Sequence, residues 1–461
     1  MKIFDFRPSA QNVTYLPDEV LDLIITFVRQ NRSSTVAQKD LWACCLVSRD
    51  WYSSAIKHLY QAPVLSSRNF AEFARTLSPS IASRSRRIGL EDFVQHLDMG
   101  MLAYESKRST TSRLISRTKN SLRTFIGPSV SFSTTSLAPL SKCTCLQQLD
   151  LSRDEYDFDL SQLMRSIKSI ASLTWLNLSK NCLTSHYENN YDRIAQQKAE
   201  FWPPSLTFLQ FNESHMHTTA GLWNILLTSL PPGLKNLSFR NCATYDPFDT
   251  IARVEASVPQ VTTLSIAVHR SDDTYYLNHL TKPFPNVTKV TIPAMTSWLL
   301  KNFLFMSNDT SWSVTAGTTN MPMPPQNLEV LVLEESADWP SASHIRMADL
   351  KQFVEQCPKL LRIDVPGAYL NLEDDDNDMD MDDLNAMLVR RAEKIRQGVC
   401  LDGGAAMGDV DELLVKRAEE MQNEKCSRRS IAMGEVGIFA TEQAQNSGVG
   451  LKRSFRYRAH D

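Results

Sequence analysis

The chain has 461 residues, 42% of them apolar and 22% charged, an ordinary balance for a folded protein and enough material for two or three domains. Its 49 basic and 52 acidic residues leave a net charge of -3, so no global pull toward nucleic acid or an anionic membrane is expected. No apolar run approaches the roughly 18 to 20 residues that span a bilayer, the start lacks the basic and long apolar stretches of a secretory signal, and nine cysteines fall without one CxxC pair, so reduced thiols in the cytoplasm or nucleus are predicted.

The first predicted element is LPDEVLDLIITFVRQ, residues 16–30. Pro17 has a φ suited to a first helical turn, and Asp18 and Glu19 put negative charge at the positive end of the helix dipole. Val20, Leu21, Leu23, Ile24, Ile25, Phe27 and Val28 cover more than one stripe of that helix, so one apolar face must be buried elsewhere. A polar spacer, residues 30–38, leads to DLWACCLVSRDWYSSAIKHLY, where Ser48 is placed to cap a helix carrying Trp51, Ala55, Ile56 and Leu59 on one side. The segment reads as three short helices, too small a unit to bury so much apolar surface internally.

LPDEVLDLIITFV followed by LWACCLVSRDW resembles the F-box motif through Leu16, Pro17, Glu19, Val20, Leu21, Ile24, Phe27, Val47, Ser48, Arg49 and Trp51. The departures are the long spacer and Asp50 at a commonly basic position. The resemblance implies docking onto the Skp adaptor of a Skp, cullin and F-box ubiquitin ligase. By that carry-over Leu16, Pro17, Val20, Leu21, Ile24, Leu46, Val47 and Trp51 face the adaptor or support that face.

Beyond these helices the template L-x-x-L-x-L recurs in full at 146, 173, 206, 234, 261, 287, 328 and 360. The intervals lie near or above the leucine-rich-repeat period of about 20 to 29 residues, the longer ones implying insertions. SRRIGL at 85 and LRTFIG at 122 are weaker candidates, the latter with Gly127 where an aliphatic belongs. The last two apolar residues of each match lie two apart on a short strand and point the same way, so stacked repeats bury a side that none buries alone. Amphipathic stretches at 160–173 and 349–360 predict convex helices, and Pro pairs at 203, 231 and 324 mark the approach to the next strand. Asn181 and Cys242 occupy the template's Asn/Cys position.

The predicted fold is α/β: a short N-terminal three-helix F-box, then an irregular leucine-rich-repeat solenoid with a parallel sheet on its concave face and helices on its convex face. The expected boundaries are an N-terminal segment 1–15, the F-box 16–61, linker helices 62–84, the solenoid 85–370, and an acidic loop with a partly disordered tail 371–461. Short helices are expected within the tail at about 381–396 and 410–425. Trp175, Asn177, Phe208, Gln210, Asn212, Asn236 and Arg240 flank the inward pairs and form the candidate substrate patch, rich in the aromatic and Arg types that anchor interfaces.

Other signals do not assemble into chemistry. In EDDDNDMDMDD, 373–383, a calcium loop begun at Asp374 puts Met379 where Gly is needed and Asn385 where a bidentate Glu is needed. His215 with His217, and Cys143 with Cys145, lack a second ligand pair at zinc spacing. Phosphate-cradling and hydrolase motifs are absent, so neither catalytic residue, metal nor cofactor is expected. The combination resembles F-box proteins with leucine-rich repeats, which act as substrate receptors. That implies a Skp adaptor, a cullin held through it and a protein target on the concave face, with no nucleic acid or membrane partner. The alternative is a Skp-binding scaffold or regulator that forms no active ligase.

Overall fold

The computed structural model describes residues 16–30, 33–78, 89–102, 108–153, 160–178, 201–212, 226–240, 257–267, 284–293, 327–334, 347–366, 381–396 and 450–454. The chain divides into two compact units, Met1–Tyr156 and Asp157–Asp461.

In the first unit, α1 (Asp18–Gln30), α2 (Ser34–Cys44) and α3 (Arg49–Gln61) form the trio. The Pro17 carbonyl accepts the Val20 and Leu21 N–H groups at 3.0 and 3.1 Å, so proline closes the first turn from just outside the helix. Ser48 caps α3 by accepting the Trp51 N–H at 3.3 Å. Each helix gives one residue to a small core, Ile25, Leu41 and Ala55, ringed by Val28, Cys44, Cys45, Trp51 and Leu59. The expected spacer is mostly helix: α2 starts at Ser34, because Ala37, Leu41 and Cys44 recur at helical spacing and Ala37 and Leu41 are buried. Gln38, read as spacer, holds Val64, its Oε1 accepting the Val64 N–H and its Nε2 donating to the Val64 carbonyl.

After α4 (Phe70–Leu77), Gly89 at φ 82° turns the chain into a 3-10 turn, Leu90–Phe93. The strands β1 (His96–Asp98), β2 (Thr124–Ile126) and β3 (Gln148–Asp150) pair in parallel, with α5 (Arg108–Thr118) and α6 (Thr134–Leu140) between them. The candidate repeat at 85 carries no strand among its described residues: 85–88 lie outside them, Gly89 and Leu90 belong to the turn, and the first strand begins only at His96. Its template is VQHLDM at 94, with Val94, Leu97 and Met99 fully buried; methionine at the last position hid it from an aliphatic scan. LRTFIG does carry a strand. A Cβ on Gly127 would lie 3.0 Å from Leu151 Cδ2, so the neighbouring repeat's leucine fills the space left by the missing aliphatic.

In the second unit, α7 (Leu160–Ile167) precedes a parallel ladder of β4 (Trp175–Leu178), β5 (Phe208–Asn212), β6 (Asn236–Arg240), β7 (Thr263–Ala267), β8 (Lys289–Pro293), β9 (Val330–Glu334) and β10 (Arg362–Pro366). All eight full templates thus carry strands, β3 to β10. Leu176, Leu209, Leu237, Leu264, Val290, Leu331 and Ile363 stack in one inward row, and Leu178, Phe211, Phe239, Ile266, Ile292, Leu333 and Val365 in the next; all are buried. The repeats at 146, 173, 206, 234, 261, 287 and 360 are entered alike. The first template residue donates its N–H to the carbonyl three residues back, as Leu206 does to Pro203 and Leu234 to Pro231. The residue before each of β4 to β9 then offers its carbonyl to two successive N–H groups of the following repeat, as Thr207 does to Lys235 and Asn236 at 3.0 and 2.9 Å.

The solenoid's end extends past residue 370. After α8 (Met347–Gln356) and β10, α9 (Met381–Arg396) buries Leu384, Leu388, Ala392 and Ile395. Its Arg391 donates to the carbonyls of Val354, Cys357 and Leu360 at 2.8, 2.7 and 3.1 Å, tying α9 to the last turn of α8 and to the segment that enters β10. A further strand, β11 (Gly450–Ser454), pairs in parallel with β10. The sequence offers no repeat template for that strand. The helix expected at 410–425, Asn181, Cys242, His215, His217 and the acidic residues 373–380 lie outside the described residues.

Candidate functional site

The first helix carries two apolar stripes. Ile25 with half-buried Val28 faces the trio's core, and Leu21 one turn earlier is buried too. Leu16, Val20, Leu23 and Phe27, spaced four, three and four apart, form the other stripe, and they stand 38%, 37%, 70% and 68% exposed. Leu46 and Val47 on the turn between α2 and α3 are also uncovered, as are Trp42 and Tyr52. Monomers rarely leave so many large apolar residues bare in one small unit.

Of the residues named from sequence, Leu16, Pro17, Val20, Leu46 and Val47 are exposed, Ile24 and Trp51 are half-buried, and Leu21 is buried. Leu21 and Trp51 therefore brace the face from beneath, Trp51 against Ile25, Leu41 and Ala55. Leu23, Phe27, Trp42 and Tyr52 went unassigned in the sequence reading, although the four-three-four spacing of the α1 stripe was visible there. Trp42 also walls an open groove of about 580 Å³ with Leu59, Tyr60, Val64 and Phe73. Electrostatics are subdued at the trio: burial pushes the Cys44 and Cys45 thiols up and lowers Arg29, while burial and then Arg29 hold the His58 imidazole below its ordinary value.

On the repeat ladder, Trp175 and Phe208 stack with centroids 5.1 Å apart and planes 12° apart, close to the strand spacing of about 4.8 Å. Each ring covers a face of the other. Beside them Asn212 Nδ2 donates to Asn177 Oδ1 and to the Leu178 carbonyl, and Gln210 Nε2 donates to Asn212 Oδ1 at 2.8 Å. Asn177 and Gln210 are buried, so their amides tie adjacent strands. Asn236 and Arg240 lie one strand further on, in register with Phe208 and Asn212; Arg240 is exposed and Asn236 half-buried. The structure thus brings all seven predicted patch residues onto three adjacent strands, with Trp175, Phe208, Asn212, Asn236 and Arg240 reaching the surface.

Among the described residues no three His, Cys, Asp or Glu side chains gather as metal ligands. Cys143 is buried and its thiol is pushed up to about 12 by burial, whereas Cys145 is exposed.

An apolar face on a capped helical trio, followed by a parallel ladder of leucine-rich repeats, is the arrangement that the resemblance to F-box proteins with leucine-rich repeats implies. The chain is 26% identical over 251 residues to the protein pof5 of Schizosaccharomyces pombe, covering 54% of this chain and 65% of that one. It is 28% identical over 208 residues to the F-box protein YDR306C of Saccharomyces cerevisiae, covering 42% of each. The match thus spans less than two thirds of either relative. Among solved structures, the leucine-rich-repeat-containing protein LegL7 of Legionella pneumophila superposes with a TM-score of 0.39 at 15% identity, over 57% of this chain and 79% of that one. No protein-family model matches.

Proposed function

We propose that this chain is a substrate receptor of a Skp, cullin and F-box ubiquitin ligase. The observation that carries the reading is the stripe Leu16, Val20, Leu23 and Phe27, bare on a trio whose own core is already complete. Such a face is stable in water only at a cost that a helical partner removes. The resemblance to F-box proteins supplies the partner, the Skp adaptor, and through it a cullin. The ladder then offers Trp175, Phe208, Asn212, Asn236 and Arg240 to a protein target, with Asn177 and Gln210 as the underlying brace. The chain does no chemistry in this reading; it raises the target's effective concentration at the conjugating enzyme. It works in the cytoplasm or nucleus.

The test is co-expression of the full chain with Skp adaptor and cullin. Capture of both, lost when Leu16, Pro17 and Ile24 are changed to Ala while the repeats stay folded, is the expected result. Adaptor capture without cullin would instead favour a scaffold outside the ligase, and capture unchanged by the triple substitution would defeat the assignment. Targets are tested with adaptor-blind full chain: the expected partner is held by it and released by Trp175→Ala with Arg240→Glu.

A further inference from the structure

One polar side chain from each helix of the trio reaches either the segment that leaves α3 or the residue before β1. From α1, the Arg29 guanidinium donates to Gln61 Oε1. From α2, Gln38 grips both polar groups of Val64. From α3, Gln61 Nε2 donates to Gln95 Oε1 at 2.9 Å, and the Gln61 carbonyl accepts the Gln95 N–H at 3.0 Å. Each helix thus places a side chain on the chain leaving the trio or on the residue before β1.

Gln95 holds in the first repeat the position that Arg123, Thr207, Lys235, Thr262, Thr288 and Glu329 hold later: its carbonyl accepts two successive N–H groups, those of Arg123 and Thr124 at 2.7 and 2.9 Å. In those later repeats the same residue sends its own N–H to the preceding repeat, as Thr207 does to Thr174 and Lys235 to Thr207. Gln95 follows the first strand-bearing template's opening residue and reaches the Gln61 carbonyl instead. A carbonyl that the end of a helix leaves without an intrahelical partner meets an N–H that the start of a ladder leaves without one.

We propose that the F-box trio is also the N-terminal cap of the repeat ladder, with Gln61 acting as its first rung, so that the adaptor face and the first repeats move as one body. Solenoids need such terminal caps, because an end repeat exposes the side its neighbours bury. The adaptor clause rests on the function proposed above; the cap does not.

Hydrogen exchange on the full chain tests it, using Gln61→Ala, Gln95→Ala and the double variant. Each single change should speed exchange of residues 94–102 and 122–127 by about tenfold, the loss expected for one or two net hydrogen bonds, with β5 to β7 unchanged. The double variant should be no faster than the faster single, since both remove one shared bond. Gln61→Glu, which keeps an acceptor for Arg29 but loses the donor to Gln95, should also speed exchange at 94–102. Unchanged exchange across 94–127, or equal acceleration through β5 to β7, would overturn the cap. Adaptor capture read on the same samples should match wild type; if wild type itself fails to bind adaptor, the ligase reading falls while the exchange data still judge the cap.

Discussion

Changing Leu23 and Phe27 together to Ala separates binding from folding at the candidate adaptor face. Both side chains are about two thirds exposed, at 70% and 68%. Complete burial of such a side chain is worth about 1.5 to 3 kcal/mol, so covering what remains supplies about 1 to 2 kcal/mol for each. The double change should therefore weaken adaptor binding by about 2 to 4 kcal/mol, or roughly 30- to 1,000-fold in Kd. The free protein should lose little, since exposed substitutions usually stay within about 0.5 kcal/mol. Ile25→Ala is the contrast: Ile25 is fully buried in the trio's core, and its truncation should cost about 2 to 5 kcal/mol of stability. Titration calorimetry against purified Skp adaptor gives the affinity, and thermal unfolding of the free chain gives the stability. Binding unchanged within threefold would refute the argument, and so would an unfolding shift as large as that of Ile25→Ala.

Arg391→Ala should remove three donors from the carbonyls of Val354, Cys357 and Leu360 and cost about 1 to 3 kcal/mol, seen as earlier proteolysis or faster exchange at α9 with β5 and β6 unaffected. Peptide-mapped thiol alkylation at neutral pH should label exposed Cys145 quickly and leave Cys143 and Cys357, both pushed up to about 12 by burial, unmodified until the chain unfolds. Burial, then Arg29, lowers the His58 pKa, and burial with Arg29 and Arg123 lowers that of His96. The unfolded chain therefore binds these protons more readily. Stability should be whole above the ordinary value of 6.5, fall as pH drops from there toward the lowered folded values, and level off below them. Unfolding midpoints across that range should show a shallower fall in His58→Gln and His96→Gln.

The repeat strands were legible because their cause is local. A residue two positions from another on an extended chain shares its face, so the apolar pairs at 176 and 178, 209 and 211, or 237 and 239 announce a buried side by spacing alone. The Ser48 cap and the surplus of apolar residues on α1 were equally visible. Apart from β11, which has no template, the pattern is weakened where Met99 does an aliphatic's work and where Gly127 leaves space that Leu151 of the next repeat fills.

What the amino-acid order settled by itself was therefore the kind of element at most places and the excess of oil in the first thirty residues. Tertiary packing decided which stripe of α1 stays wet, since Ile25 and Leu23 are both strongly apolar and the positions of Leu41 and Ala55 put Ile25 inside. Packing also decided the roles of the polar residues. Gln38 with Val64, Gln61 with Gln95 and Arg391 with Val354 are 26, 34 and 37 positions apart, and hydrogen bonding between such distant groups leaves no period in the chain to read. A hydrophobic pattern is written along the sequence because burial is a property of a whole face, whereas a single donor finds its acceptor only once the fold has brought them together.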